Sequence, residues 1–350
     1  FNPKKNTYKH HKRSIVPGKG LSNNNVWKIY EDSEKRIWIG TYGGGVDVYD
    51  PATETFTNYS FKSGDEESLS LNNVYYITED TNGYIWIATD GGGVNRFDKT
   101  TKKFRRYVHD QSRNSLSHNR VISIHEDSTG NLWIGTNHGL SHLNVKTDRF
   151  TTYEIKDGLP ADAILGILMD DKKNLWISTN KGVSKFNTVT KEVKNFTTAD
   201  GLQPGDLSQA FCKSKTGAMY FGGKSGFSEF YPESLAFDAY DPPLVFTGFD
   251  VFNKPVFTSA DPSIKSILPL PISQLDEVTL SYKHSVFSIQ FASLNYTSPQ
   301  RRHYTYMLEG FDKDWVNQGA SGERAFSTLA PGSYVLRVQA FDDVGNASAE

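Results

Sequence analysis

Nine histidines, one cysteine and 40 carboxylates are the groups from which this 350-residue chain could assemble a catalytic or metal centre. No nucleophile elbow (Gly-x-Ser-x-Gly), Walker phosphate loop, His-Glu-x-x-His zinc pair or EF-hand loop occurs. His10 and His11 are adjacent near the N-terminus, while His118, His125, His138 and His142 fall at different points of the chain's repeat, so nothing signals convergence on a metal. A single cysteine excludes an intrachain disulfide and a Cys-based zinc site, and Cys212 reads as an inert residue ending a buried strand. No catalytic residue, metal or cofactor is expected. What remains is a set of polar and aromatic residues that vary from repeat to repeat: Tyr42, Asp90, Arg120, Asn137, His138, Asn180, Lys181 and Lys224. Such side chains suit sugar hydroxyls and carboxylates, with aromatic faces against pyranose rings. Asn24, Asn72 and Asn119 recur in phase and are expected to make turn hydrogen bonds instead.

These residues can meet only if the repeat brings its turns together. Arg36-Ile-Trp-Ile-Gly-Thr41 returns as Tyr84–Thr89, Asn131–Thr136 and Asn174–Thr179, with a degenerate copy at Ala218–Gly223. The central aromatics Trp38, Trp86, Trp133, Trp176 and Tyr220 are 48, 47, 43 and 44 residues apart. Each unit reads as four strands. The first starts at Val26, Val74, Val121, Ile164 or Leu207 and, in four units, ends at Asp32, Asp80, Asp127 or Asp170. The Trp strand follows, then a Gly-rich turn, a third strand, and a fourth carrying an aromatic pair (Phe56/Tyr59, Phe104/Tyr107, Phe150/Tyr153). Four antiparallel strands per repeat of this length predict β-propeller blades, and the five central aromatics are expected in the core. In such a meander the turn before the first strand and the turn after the second emerge at one end, which gathers the candidate residues there.

Phe1-Asn-Pro-Lys-Lys-Asn-Thr-Tyr8 aligns with Tyr49–Phe56 and predicts the outer strand of a preceding blade. Residues 1–13 should then pair as an edge strand, and the mid-strand start predicts a slice of a larger propeller. The fifth unit shows no fourth strand after Phe230.

The repeat stops near Pro232, and 233–245 reads as a linker. Beyond it, Val278–Tyr282, Val286–Phe291, Tyr304–Leu308 and Tyr334–Ala340 alternate with period two, separated by turns at Gly310, Gly319 and Pro331-Gly332. That predicts an immunoglobulin-like sandwich. Asp343-Val-Gly-Asn346 near the end looks like a turn, so a further strand is expected beyond it. The chain is thus expected to be all-β: five four-stranded blades plus an N-terminal stub over 1–236, and a sandwich over 237–350. A net charge of −2 supplies no field for nucleic acid, and the longest apolar run, Ala163–Met169, is far short of the roughly 20 residues of a membrane span.

The pattern Leu-Ser-x-Asn-x-Val, followed by Glu-Asp-x-x-Gly-x-Leu-Trp-Ile-Gly-Thr-x-x-Gly-Gly, resembles the regulator-propeller repeat. Tyr296, Tyr304-Thr-Tyr306, Leu308-Glu-Gly-Phe-Asp-x-Asp-Trp315, Ser327-Thr-Leu-x-Pro-Gly-x-Tyr334 and Arg337-Val resemble the triple-tyrosine Y_Y_Y domain. This order is similar to the periplasmic sensor half of Bacteroides-type hybrid two-component regulators, in which two seven-bladed propellers precede the sandwich. A transmembrane helix, histidine kinase, receiver and DNA-binding region follow there; no kinase motif occurs in this chain. The resemblance implies a non-enzymatic periplasmic sensor, membrane-anchored in the full-length protein. It would detect glycan breakdown products and control polysaccharide-utilisation genes, with an oligosaccharide or other small ligand. A homodimer through the Y_Y_Y domain is expected, with Arg301, Arg302 and His303 near the pairing surface. Tyr296, Tyr304, Tyr306 and Trp315 are expected in its core. The competing readings are a protein-interaction scaffold and, behind it, a propeller lyase or glycosidase, which would need a fixed carboxylate pair that no blade offers.

Overall fold

Short apolar segments broken by Asp- and Gly-containing turns can bury themselves only by pairing with one another. The computed structural model describes residues 6–111, 114–235, 243–258, 267–294 and 303–341. The chain divides into two units, Phe1–Leu235 and Ala236–Glu350.

In the first unit, blade one is β1 (Val26–Glu31), β2 (Ile37–Thr41), β3 (Val46–Asp50) and β4 (Thr55–Tyr59). Blade two is β5 (Val74–Glu79), β6 (Ile85–Thr89), β7 (Val94–Phe97) and β8 (Phe104–Tyr107). Blade three is β9 (Val121–Glu126), β10 (Leu132–Thr136), β11 (Leu140–Asn144) and β12 (Arg149–Tyr153). Blade four is β13 (Ile164–Met169), β14 (Asn174–Thr179), β15 (Gly182–Asn187) and β16 (Val193–Phe196). The fifth sheet has three strands, β17 (Leu207–Lys213), β18 (Met219–Gly223) and β19 (Gly226–Phe230). Each is an antiparallel meander in chain order. The first strands start where the repeat predicts, but end one residue before Asp32, Asp80, Asp127 and Asp170.

Neighbouring blades pack face to face. Trp38 lies between Tyr59 of its own blade and Phe97 of the next, at centroid distances of 6.3 and 5.3 Å. Trp133 repeats this with Tyr153 and Phe186, and Trp176 with Phe196 and Phe230. Burying each such ring removes about 200 Å² from water, worth roughly 5 kcal/mol. Gly40 permits the close approach: a Cβ there would sit 2.7 Å from Val74 Cγ1.

Three expectations fail here. Tyr220 occupies the equivalent site on β18 but is only half-buried, and Cys212, paired opposite it, is exposed. Both lie on the sheet face that in blades one to four is covered by the following blade; among the described residues no blade covers that face of the fifth sheet. Among the described residues of 1–13 the backbone makes isolated bridges, at Thr7 and between Arg13 and Leu21, rather than a continuous edge strand. The segment instead lays His11 against Tyr49 and Phe56, 4.9 and 5.3 Å away, and pairs Lys9 with Glu54. Residues 1–5 lie outside the described residues.

In the second unit, β20 (Leu244–Val251), β21 (Lys254–Pro255), β22 (Val286–Ser293) and β25 (Glu323–Ser327) form one sheet. β23 (His303–Glu309), β24 (Val316–Gly319) and β26 (Val335–Phe341) form the other. Tyr304, Tyr306, Phe291, Phe326 and Val338 make the buried core between them. The Tyr334 hydroxyl donates to Ala330 O at 2.9 Å, pinning a corner before β26. Four corrections apply. Val278–Tyr282 is not a strand; Val278 and Leu280 pack beside Phe249 while the backbone stays outside the ladder. Trp315 is 37% exposed rather than core. Gly319 ends β24 instead of separating strands, and β20 already begins within the expected linker. Tyr296, Arg301, Arg302, Asp241 and Asp343–Asn346 lie outside the described residues.

Candidate ligand-binding site

Each first strand begins with a bulge. Pairing with the second strand skips between Val26 and Lys28, between Val74 and Tyr76, and between Ile164 and Gly166, with the same irregularity opposite Gly135 and Thr136. A bulge re-aims the extra residue out of the ladder. In blades one and two that residue is aromatic, Trp27 and Tyr75.

The turn after the second strand then docks on the start of the next blade. Gly43 and Gly45 donate their N–H groups to Asn72 O at 3.1 and 3.0 Å, and Gly91 and Gly93 donate to Asn119 O at 3.2 and 2.8 Å. Tyr42 bridges Asn73, and Asp90 bridges Arg120. Gly45 has φ +79°, and a Cβ there would meet Tyr59 O at 2.4 Å. The recurring asparagines serve turns, as expected: their Oδ1 atoms accept from Arg13 N, Phe61 N and His109 N, each at 2.7 Å.

This staple assembles a cluster across three blades. Trp27 stacks on Tyr42 at 5.1 Å and 21°, and its ring lies 4.7 Å from Tyr75. Arg120 Nη2 donates to the Tyr75 hydroxyl at 2.8 Å, and that hydroxyl donates to Asp90 Oδ2 at 3.2 Å. Arg120 Nε and Asp90 Oδ1 form an ion pair at 3.0 Å, not aligned as a hydrogen bond. Burial pushes the Tyr75 hydroxyl up, so it stays protonated at neutral pH. Trp27 and Tyr42 are 44% and 41% exposed, leaving an aromatic platform open beside the Arg120–Asp90–Tyr75 triad.

Asn137 and His138 stand exposed beside it: Asn137 N donates to Arg120 O at 3.0 Å, and His138 N to Thr136 Oγ1 at 2.9 Å. Arg120 N donates to His118 Nδ1 at 2.9 Å, and burial lowers the His118 pKa. Asn180 and Lys181 are exposed on the corresponding turn of blade four. Lys224 pairs with Asp206 at 3.0 Å within the fifth sheet. No described contact joins those three to the cluster. Trp27 and Tyr75 escaped the sequence reading because a bulge is a departure from strand periodicity; their shared place, second in the first strand, was the available signal. Among the described residues no group of three His, Cys, Asp or Glu side chains could hold a metal, and no helix is long and apolar enough to cross a membrane.

The two-component regulator propeller family matches residues 20–43, 68–91, 115–138 and 158–181, and the Y_Y_Y domain family matches 295–350. Four matches to the regulator-propeller repeat are thus followed by one to the Y_Y_Y domain. The chain is similar to the extracellular domain of a protein assigned to the hybrid two-component systems of B. thetaiotaomicron. That likeness has a TM-score of 0.83 and 27% identity, over 100% of this chain and 46% of the other. A one-component system's extracellular domain from the same organism shares the fold, with a TM-score of 0.53 and 22% identity over 93% of this chain and 55% of that one. A histidine kinase of Formosa agariphila is 30% identical over 129 residues, 36% of this chain and 9% of the kinase. The chain therefore spans under half of the first solved domain and a small part of the kinase.

Proposed function

We propose that this chain is the extracytoplasmic sensor region of a hybrid two-component histidine kinase, and that its propeller rim binds a saccharide released by polysaccharide breakdown. The observation that carries the ligand reading is the exposed Trp27–Tyr42 ring pair set against the Arg120–Asp90–Tyr75 triad. An aromatic face takes the C–H face of a pyranose, and a paired donor and acceptor fix its hydroxyls. The kinship with extracellular domains of two-component systems supports a periplasmic placement in a membrane-anchored protein; control of polysaccharide-utilisation genes is the output proposed for it. The region senses without catalysing: the rim carries a binding surface, and Asp90 within it is engaged by Arg120 and Tyr75.

Signal transfer needs a ligand that binds two states differently, and complete switching takes about 5.5 kcal/mol of difference. A homodimer through residues 237–350 would share that requirement between two rims. Calorimetry of the chain against oligosaccharides tests the ligand reading; binding at micromolar Kd, lost in Trp27→Ala, is expected, and silence across the panel overturns it. Sedimentation of the full-length receptor, with and without substitutions in 237–350, tests the dimer, which a signalling monomer would refute.

A further inference from the structure

We propose that the rim of blades one to three selects an uncharged pyranose over a uronic acid. This rests on the saccharide reading above and adds the charge of the ligand. The cluster's cation is already neutralised: Arg120 Nε lies 3.0 Å from Asp90 Oδ1, with the two side chains 43% and 23% exposed. Tyr75 closes the triad, accepting from Arg120 Nη2 at 2.8 Å and donating to Asp90 Oδ2 at 3.2 Å. A uronate carboxylate approaching Arg120 meets the Asp90 carboxylate at the same distance scale, so attraction and repulsion nearly cancel.

A neutral hydroxyl has no such conflict. It both donates and accepts, so adjacent pyranose hydroxyls can accept from Arg120 and donate to Asp90 together. Arg120 has five N–H donors; Tyr75 takes one and Asp90 faces another, which leaves donors for a ligand. Burial lowers the pKa of the neighbouring His118, which disfavours its cationic form, and Lys224 is paired with Asp206 in the fifth sheet. The platform of Trp27 and Tyr42, nearly parallel at 21°, presents an apolar face that favours the C–H face of a ring over a charged edge.

The test uses matched ligands: oligogalacturonates and their carboxyl-reduced counterparts, identical in ring and linkage and different only at C6, a carboxylate against a neutral hydroxymethyl, beside neutral gluco-, xylo- and manno-oligosaccharides. Titration calorimetry on the whole chain should show neutral ligands binding at least tenfold more tightly than any uronate. Asp90→Asn, which leaves Arg120 uncompensated, should shift the ratio at least tenfold toward the uronate, and Trp27→Ala should weaken both classes. Thermal melts confirm that each variant is folded, and Asp90→Ala provides a second version of the charge test. Uronates bound more tightly by the unaltered chain would overturn the charge inference and leave the saccharide reading standing. Saccharide binding indifferent to both Asp90 variants and to Trp27→Ala would move the site elsewhere and overturn it too. Binding of no saccharide of either class would bring down both readings.

Discussion

The Asp32 carboxylate accepts the indole N–H of Trp38 through Oδ2 at 2.8 Å, while its Oδ1 accepts the backbone N–H groups of Glu34 and Arg36 at 3.0 and 2.9 Å. One side chain thus closes the turn and satisfies the polar atom of the blade's buried ring. Asp80–Trp86, Asp127–Trp133 and Asp170–Trp176 repeat the bond at 2.7, 3.2 and 3.0 Å.

Removing the acceptor should leave a buried N–H with no partner. Asp80→Ala is expected to destabilise the propeller by about 1–3 kcal/mol, with the loss visible in the urea midpoint. Asp80 also accepts from Asn82 N and Tyr84 N, so the turn loosens with it. An unchanged midpoint would refute the role.

Acid should weaken the same turns. Burial pushes the Asp32 carboxyl up, but bonds from Trp38 and Arg36 outweigh it and hold the group below its ordinary value. Burial likewise raises Asp127, and the His142 ring 3.6 Å away, with Thr129 and Asn131, outweighs that effect. At 3.6 Å the His142 contact is electrostatic rather than a hydrogen bond. Since the unfolded carboxyls titrate near ~3.9, this stabilisation is whole above that pH and fades as the pH falls through the lower folded values. Thermal melts from pH 6 to 3 should show a falling Tm, with a shallower fall in Asp127→Asn.

A carboxylate latch joins adjacent blades at the end opposite the rim. Glu79 accepts from Ser33 N and Oγ, both at 2.7 Å, and Glu126 accepts from Thr81 N and Oγ1 at 2.9 and 2.7 Å. Lys99 binds Glu79 and reaches Glu34 of blade one at 3.0 Å. Glu79→Ala should cost about 1 kcal/mol through the lost hydrogen bonds, since exposed Ser33 can turn to water, and raise amide exchange in β1 and β5 before β13. Uniform exchange would contradict a local latch.

Crowding at Gly40 gives an independent check on blade spacing. Gly40→Ala forces a methyl against Val74 and should destabilise by about 1–3 kcal/mol. Gly201→Ala, with open space at its Cβ position but φ +90°, should lose only the backbone cost of about 1 kcal/mol. Chemical denaturation of both variants would separate steric from conformational cost; equal losses would count against the packing argument.

The repeat period, the five strand starts from Val26 to Leu207 and the position of Tyr304 and Tyr306 in a second all-β unit were legible in the sequence, because turns and strand periodicity are local properties of the chain. The recurring asparagines were legible as turn residues for the same reason. What the tertiary structure decided was which neighbour each residue met. Ile29 is 63% exposed while Ile77, Ile124 and Ile167, at the same repeat position, are buried, because each of those has a preceding blade's second strand against it. Tyr220 and Cys212 differ from their counterparts by the matching lack on the other face. Trp27 and Tyr75 reach the rim through a bulge that breaks the alternation a sequence reading relies on. The cluster of Trp27, Tyr42, Tyr75, Asp90 and Arg120 exists because three blades converge, and no local pattern states which side chains separate repeats bring into contact.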